Sequence, residues 1–224
     1  MNRGGAIQIA LIRDFPAQLD APRDTQMVNL PRTTRNAMSR CAHAAVHAMV
    51  RHQTGRSDWR IMKGRNGKPW IAAPDGTPGP AMSLSHTGGL IAAAVTSRGA
   101  LGIDAERHRP RNFPALAESA FGPRERGLIT PEDPVAFYRV WTLREALAKA
   151  TGDGLALAAN RRDLVDHCLT GTRWAARHAG VDWTLFHQLA GPEHSLSVAH
   201  DGGAEVVLEW IEFPAGWTAQ VLDG

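Results

Sequence analysis

Two long helical stretches set among short extended pieces constrain the fold of this chain most. Residues 34–52 place Ala37, Met38, Cys41, Ala45 and Met49 near helical spacing, with Arg35, Arg40 and Arg51 among them. The second stretch, residues 134–150, opens on Pro134 and is stopped by Gly152 and Gly154. Around them lie short strand-like runs at 58–63, 68–72, 81–85, 90–96, 100–106, 181–189, 195–199 and 205–210. Residues 74–80 read as a loop, and short helices are expected near 114–120 and 123–128. The 22 Gly and 14 Pro are aperiodic, so they mark turns rather than disorder. The expected class is α/β in the broad sense, α+β.

The 224 residues suffice for one large domain or two small packed ones. A formal charge of +3 suits an anionic ligand or an acidic protein partner, and equally a nucleic acid. A nucleic-acid module, however, calls for a basic stripe with interleaved aromatics. Here the arginines are scattered, with one Tyr and six Phe in the whole chain, so no nucleic acid is expected. Cys41 and Cys168 match no metal spacing, and a reducing cytoplasmic setting is expected. There is no signal-like apolar run near the N-terminus and no apolar run of about 18 residues, so no membrane association is expected.

Four local patterns carry candidate chemistry. In Gly102-Ile103-Asp104-Ala105-Glu106, strand alternation points Asp104 and Glu106 to one side and Ile103 and Ala105 to the other. Two adjacent carboxylates repel, and a hard cation relieves the repulsion; two solvated acids at a strand end would look the same. In 141–149, Trp141, Glu145 and Lys149 recur every four residues on one helix face, which also describes an ordinary surface salt pair. Ser85-His86-Thr87-Gly88-Gly89 is a polar strand end followed by glycines that let backbone approach a ligand. Gly67-Lys68-Pro69 is a turn into a strand, and Arg35 and Arg40 sit on the first helix. A weak internal echo links Ser83–His86 to Ser195–Val198. If it reflects duplication, two similar halves would share a ligand site between them.

In order and spacing, the GKP turn, the SH strand end, the G-I-D-x-E strand and the W-T-x-R-E-A-x-x-K helix resemble the Sfp-type 4′-phosphopantetheinyl transferases over residues 30–160. The resemblance implies a pseudo-dimer of two α/β halves with the active site at their interface. Residues 1–103 would bind the coenzyme A nucleotide, and residues 104–224 would hold the metal and catalytic groups. It implies Mg²⁺, with Mn²⁺ as a substitute, on Asp104, Glu106 and Glu145. Glu145 would be the base, directly or through a metal-bound water, and Lys149 would contact the phosphates. His86 would bind a coenzyme A phosphate, and Lys68, Pro69 and Ser85 would line the nucleotide pocket. Arg35 would hold the 3′-phosphate, with Arg40 as the alternative. The partner implied is an acyl or peptidyl carrier protein, acidic in general. The basic residues 107–111, Arg124, Arg126 and the helix start at Phe137-Tyr138 are the expected docking face, and a monomer is expected. Arg144 stands where the family usually has lysine, and Ala105 replaces a bulkier residue.

Three other readings compete on the residues alone. A nucleotide pyrophosphohydrolase would carry an E-x-x-E-E helix, which is absent. A nucleic-acid-binding module lacks its basic stripe. A degenerate member that binds coenzyme A without transfer would have lost one of the ligands that the resemblance implies, and all three expected ligands are present.

Overall fold

The computed structural model describes residues 6–13, 32–64, 67–202 and 207–223. The chain opens with strand β1 (Ala6–Ile12), helix α1 (Arg32–Thr54) and strands β2 (Arg60–Lys63), β3 (Pro69–Ala72), β4 (Ala81–Thr87), β5 (Leu90–Thr96) and β6 (Leu101–Arg107). Helices α2 (Phe113–Ala120), α3 (Pro123–Arg126), α4 (Pro134–Thr151) and α5 (Leu155–Ala158) follow. Strands β7 (Val165–Thr170), β8 (Arg173–His178), β9 (Val181–Leu189), β10 (His194–His200) and β11 (Val207–Ile211) precede a last helix, α6 (Trp217–Asp223). The mixed α+β class expected from the sequence is what the chain adopts.

These elements form two compact units, Met1–Arg98 with Val206–Gly224, and Gly99–Glu205. In the first unit the sheet order is β11-β1-β5-β4, with β1 parallel to β11 and antiparallel to β5. Helix α1 packs on this sheet. Met38, Cys41, Ala45, Val46 and Met49 bury against Ala10, Ile12, Ile91, Ala93 and Val95. Each large apolar side chain so buried contributes about 1.5–3 kcal/mol.

In the second unit the sheet order is β6-β10-β9-β8-β7, antiparallel throughout. Helix α4 packs on β6, β10 and β9. Asp133 caps it by accepting from the Ala136 backbone N–H at 3.1 Å, Pro134 fits the first turn, and Gly152 ends it with φ of 85°. Leu143, Ala146, Leu147 and Ala150 bury against Trp174, Trp183, Leu185 and Ala199.

Both units thread their central strands alike. In each a strand is followed by a helical segment, a pair of strands and then two further strands, and of the three central strands the last lies between the other two: β1-β5-β4 in one, β6-β10-β9 in the other. The Ser-Leu-Ser echo does not mark this likeness. Ser83–His86 lies on β4, the second strand of its set, whereas Ser195–Val198 lies on β10, the third. Half-buried strands often alternate small polar and apolar residues, so the echo reflects that habit.

Several elements differ from the sequence expectation. The strands β1, β7 and β8 and the helices α5 and α6 were not anticipated. Ile7, Ile9, Ala10 and Ile12 of β1 are all buried, so that strand lacks the polar alternation of a half-exposed one. His86 and Thr87 were placed in the connection after β4, yet both belong to the strand. Thr87 pairs with Leu90, leaving a two-residue turn of Gly88 and Gly89, the latter with φ of 82°.

Candidate active site on the second unit

The site begins with a glycine. A Cβ on Gly102 would lie 1.9 Å from the Ala146 carbonyl oxygen and 2.6 Å from the Ala150 amide nitrogen. Strand β6 therefore turns its Gly102 side toward α4, and only a residue without a side chain allows so close an approach. Strand alternation then puts Asp104 and Glu106 on that same side. The cross-strand register agrees: Asp104 faces Ser197, and Ser197 Oγ lies 2.7 Å from Thr142 Oγ1 of α4. Thr142 donates its one proton to the Tyr138 carbonyl at 2.8 Å, so Ser197 is the donor in the pair. On the other side of β6, Ile103 and Ala105 are buried, as the alternation predicts.

Helix α4 brings Glu145 and Lys149 to this strand. Lys149 Nζ donates to Asp104 Oδ1 at 2.7 Å, and Asp104 is 4% exposed. The lysine thus pairs across elements to the strand carboxylate, and the Glu145–Lys149 spacing is more than a solvated surface pair. Burial, and after it the negative charge of Asp104, pushes the Glu145 carboxyl up to about 7, against the pull of Lys149 and Arg144. Glu145 Oε1 is buried and accepts no hydrogen bond among the described residues. Glu106 follows on the same face, half-buried, directly opposite Ser195.

Among the described residues, no three acidic, histidine or cysteine side chains are grouped closely enough to cage a metal ion by themselves. The donor set still fits a hard cation. Asp104 and Glu145 crowd negative charge together, and Glu145 Oε1 is buried with no hydrogen-bond partner among the described residues. Mg²⁺ in particular uses one or two carboxylates and takes its remaining oxygens from phosphate and water.

Arg144, next to Glu145 in sequence, goes the opposite way. It is fully buried and ion-paired to Glu125, which is 1% exposed. It also donates to the Arg162 carbonyl at 2.7 Å and to Asn160 Oδ1 at 3.1 Å. Glu125 in turn accepts from the backbone N–H groups of Gly122, Leu164 and Val165 at 3.2, 3.0 and 3.1 Å. This charge anchors α4 to α3 and to the chain before β7. A forked guanidinium makes these several bonds at once, which an ammonium on a lysine stem does not.

Of the expected docking face, Phe137 and Tyr138 drop out. Each is 5% exposed, packed in an aromatic cluster with Phe113 and Phe121. They lie on the side of α4 that α2 covers, a fact of tertiary packing that their place at the helix start did not reveal. Arg124 and Arg126 are exposed, the former ion-paired to Asp163 at 3.3 Å.

The remaining candidates belong to the first unit. Ser85 is buried on β4 and His86 exposed beside it. Lys68 is half-buried, and burial lowers its amine below the usual range; Pro69 begins β3. Arg35 and Arg40 are both exposed on α1, and Arg40 donates to the Val221 carbonyl at 2.8 Å, tying α1 to α6.

Sequence reasoning gave no role to the Gly102 it named, and it passed over Glu125 and a histidine–serine chain built on Ser195, the cross-strand partner of Glu106. Ser195 Oγ lies 2.9 Å from His108 Nε2 and 3.2 Å from His187 Nε2. Burial, then the positive charges of Arg139 and His108, hold the His187 ring down at about 4, and burial also lowers His108. One signal for His108 lay in the sequence: it continues the alternation Asp104, Glu106, His108.

Residues 100–199 match the family model described as the 4′-phosphopantetheinyl transferase superfamily. That span covers nearly the whole second unit, with Asp104, Glu106, Glu145 and Lys149 inside it. The chain is 35% identical over 141 residues to the 4′-phosphopantetheinyl transferase HetI of Nostoc sp., covering 61% of this chain and 58% of that protein. It is 39% identical over 97 residues to the 4′-phosphopantetheinyl transferase AcpT of Salmonella typhi, covering 41% and 49%. It is 31% identical over 110 residues to the 4′-phosphopantetheinyl transferase Sfp of Bacillus subtilis, covering 47% of each. The chain spans about half the length of the curated relatives it matches. The resemblance drawn from the motifs is borne out.

Proposed function

We propose that this chain transfers the 4′-phosphopantetheine group of coenzyme A to a serine hydroxyl of an acyl or peptidyl carrier protein. The observation that carries this reading is the convergence of Asp104, Glu145 and Lys149 within the matched segment, with a buried, unpartnered oxygen on Glu145. Asp104, Glu106 and Glu145 would hold a Mg²⁺ or Mn²⁺ ion. When bound, the cation neutralises charge on the pyrophosphate of coenzyme A.

The acceptor serine oxygen forms a bond to the β-phosphorus. The bond from that phosphorus to the bridging oxygen breaks, and its electron pair leaves with 3′,5′-ADP. Glu145 takes the hydroxyl proton, directly or through a metal-bound water. Lys149 presents positive charge beside Asp104, where the phosphates would gather. In the 1–103 half, Arg35 or Arg40, Lys68, Pro69, Ser85 and His86 would receive the nucleotide and its phosphates. The shared order of the three central strands supports reading the two units as duplicated halves. Among the described residues no helix is long and apolar enough to cross a membrane, and Cys41 is a buried free thiol; we take the protein to act as a monomer in a reducing cytoplasm.

Incubation with apo carrier protein, coenzyme A and Mg²⁺, followed by intact mass measurement, tests this. A gain of one phosphopantetheine on the carrier is expected. No gain on any of several fatty-acid and peptide carriers overturns the transfer reading.

A further inference from the structure

The geometry points to Ser195 as a positioning residue for Glu106, acting through the His108–Ser195–His187 hydrogen-bond chain under the site. Glu106 is half-buried on β6, which lies at the margin of its sheet. The strand paired with β6 is β10. Ser195 stands directly opposite on β10, wholly buried. Residues paired this way keep their Cβ atoms about 5 Å apart on one face.

The chain ties that position to three elements. A hydroxyl has one proton, so Ser195 donates to one imidazole and accepts from the other. His187 belongs to β9, and its backbone N–H donates to the Thr172 carbonyl at 2.8 Å. His108 stacks on Tyr138 of α4, with ring centroids 5.1 Å apart. The Tyr138 hydroxyl accepts from the Arg109 backbone N–H at 3.2 Å, and the His108 backbone N–H donates to the Glu193 carbonyl at 2.7 Å. The residues after Glu106 are therefore held from β10, β9 and α4 together. Groups that orient a metal-binding carboxylate typically govern affinity by about 10–100-fold.

The inference rests on the transfer reading in taking Glu106 as a metal ligand. Its test is calorimetric titration of Mn²⁺ into the protein with coenzyme A present, comparing wild type with Ser195→Ala, Ser195→Thr and His108→Phe. His108→Phe sits at a half-buried position and keeps the ring on Tyr138 while deleting the hydrogen bond, so it answers the question even if Ser195→Ala fails to fold. We expect Mn²⁺ to bind about tenfold more weakly to Ser195→Ala and to His108→Phe, with Ser195→Thr near wild type. The Mg²⁺ concentration for half-maximal transfer should rise in step, and kcat at saturating Mg²⁺ should change far less. Normal wild-type Mn²⁺ binding with either folded variant unchanged overturns the inference and leaves the transfer reading standing. Wild type that binds no Mn²⁺ in the presence of coenzyme A removes the inference together with the metal part of that reading.

Discussion

The two helix–sheet seams of this molecule share a strand order and differ in chemistry. Under α1 the seam is largely apolar, Met38, Cys41, Ala45 and Met49 meeting Ala10, Ile91, Ala93 and Val95, with polar contacts toward the end of the helix, where His52 meets Gln8 at 2.9 Å and Gln53 donates to the Val95 carbonyl at 3.3 Å. Under α4 an apolar strip built on Leu143, Ala146 and Leu147 runs beside a polar margin along β6. That margin holds Asp104, Glu145 and Lys149, the Thr142–Ser197 pair and the His108–Ser195–His187 chain. Polar contacts contribute less net stability than the apolar ones they displace. The second seam also has the close approach at Gly102 and the buried ion pair of Arg144 with Glu125. A cluster of charged and hydroxyl side chains thus sits inside a helix–sheet packing of the same plan as the largely apolar one.

The sharpest way to break the difference is Gly102→Val. A side chain there meets helix backbone, which has no rotamer to yield. We expect loss of both transfer and the cooperative unfolding of the second unit, read by circular dichroism and the carrier mass assay. Near-normal melting would remove the claim that Gly102 sets the helix–strand distance.

Next in size, Arg144→Met strands the Glu125 carboxylate in the interior and should cost about 3–5 kcal/mol in chemical denaturation. The double variant with Glu125→Gln should recover part of that loss. Full stability in the single variant would mean that Arg144 does not anchor α4.

Glu145→Gln should lower transfer by about 100-fold or more while leaving the fold intact, and full rate would retire Glu145 as the base. The same variant sharpens the comparison through pH. The folded Glu145 carboxyl lies at about 7, above its ordinary 4.5, so its ionisation opposes folding. Its stabilising share is complete below 4.5 and is lost as pH rises through 7. In the absence of metal, Glu145→Gln should flatten the wild-type decline in Tm over that window. His187 acts in the opposite sense: its ring is held down at about 4, so its share is present above 6.5 and is lost as pH falls through 4. A His187→Asn variant should lose less Tm on acidification than wild type. No pH difference from wild type in either variant would mean that the seam does not perturb these groups.

Patterns of short period were legible in the sequence itself. Period-two alternation put Asp104 and Glu106 on one side of a strand, and a spacing of four put Glu145 and Lys149 on one helix face. The helical spacing of 34–52 named the residues that α1 buries, and Gly152 marked the end of α4. These features repeat along the chain itself, so local geometry fixes them. Strand β1 escaped notice because it is buried along its length and shows no alternation.

Everything that depends on which distant segments meet had to come from the tertiary structure. The spacing of four offers Lys149 a partner in Glu145, yet its ammonium reaches Asp104, 45 residues away. Arg144 could as well have faced solvent or phosphate; packing against α3 and the chain before β7 sends it inward. Phe137 and Tyr138 became core because α2 covers that side of α4. Ser195 and His108 lie 87 residues apart, and only the β6–β10 register joins them. The sequence by itself determined which residues are candidates for the chemistry and which local faces they share. The pairing of strands and the seating of α4 decided which charge meets which, because electrostatic and hydrogen-bond energies depend on distances that chain-local rules do not set.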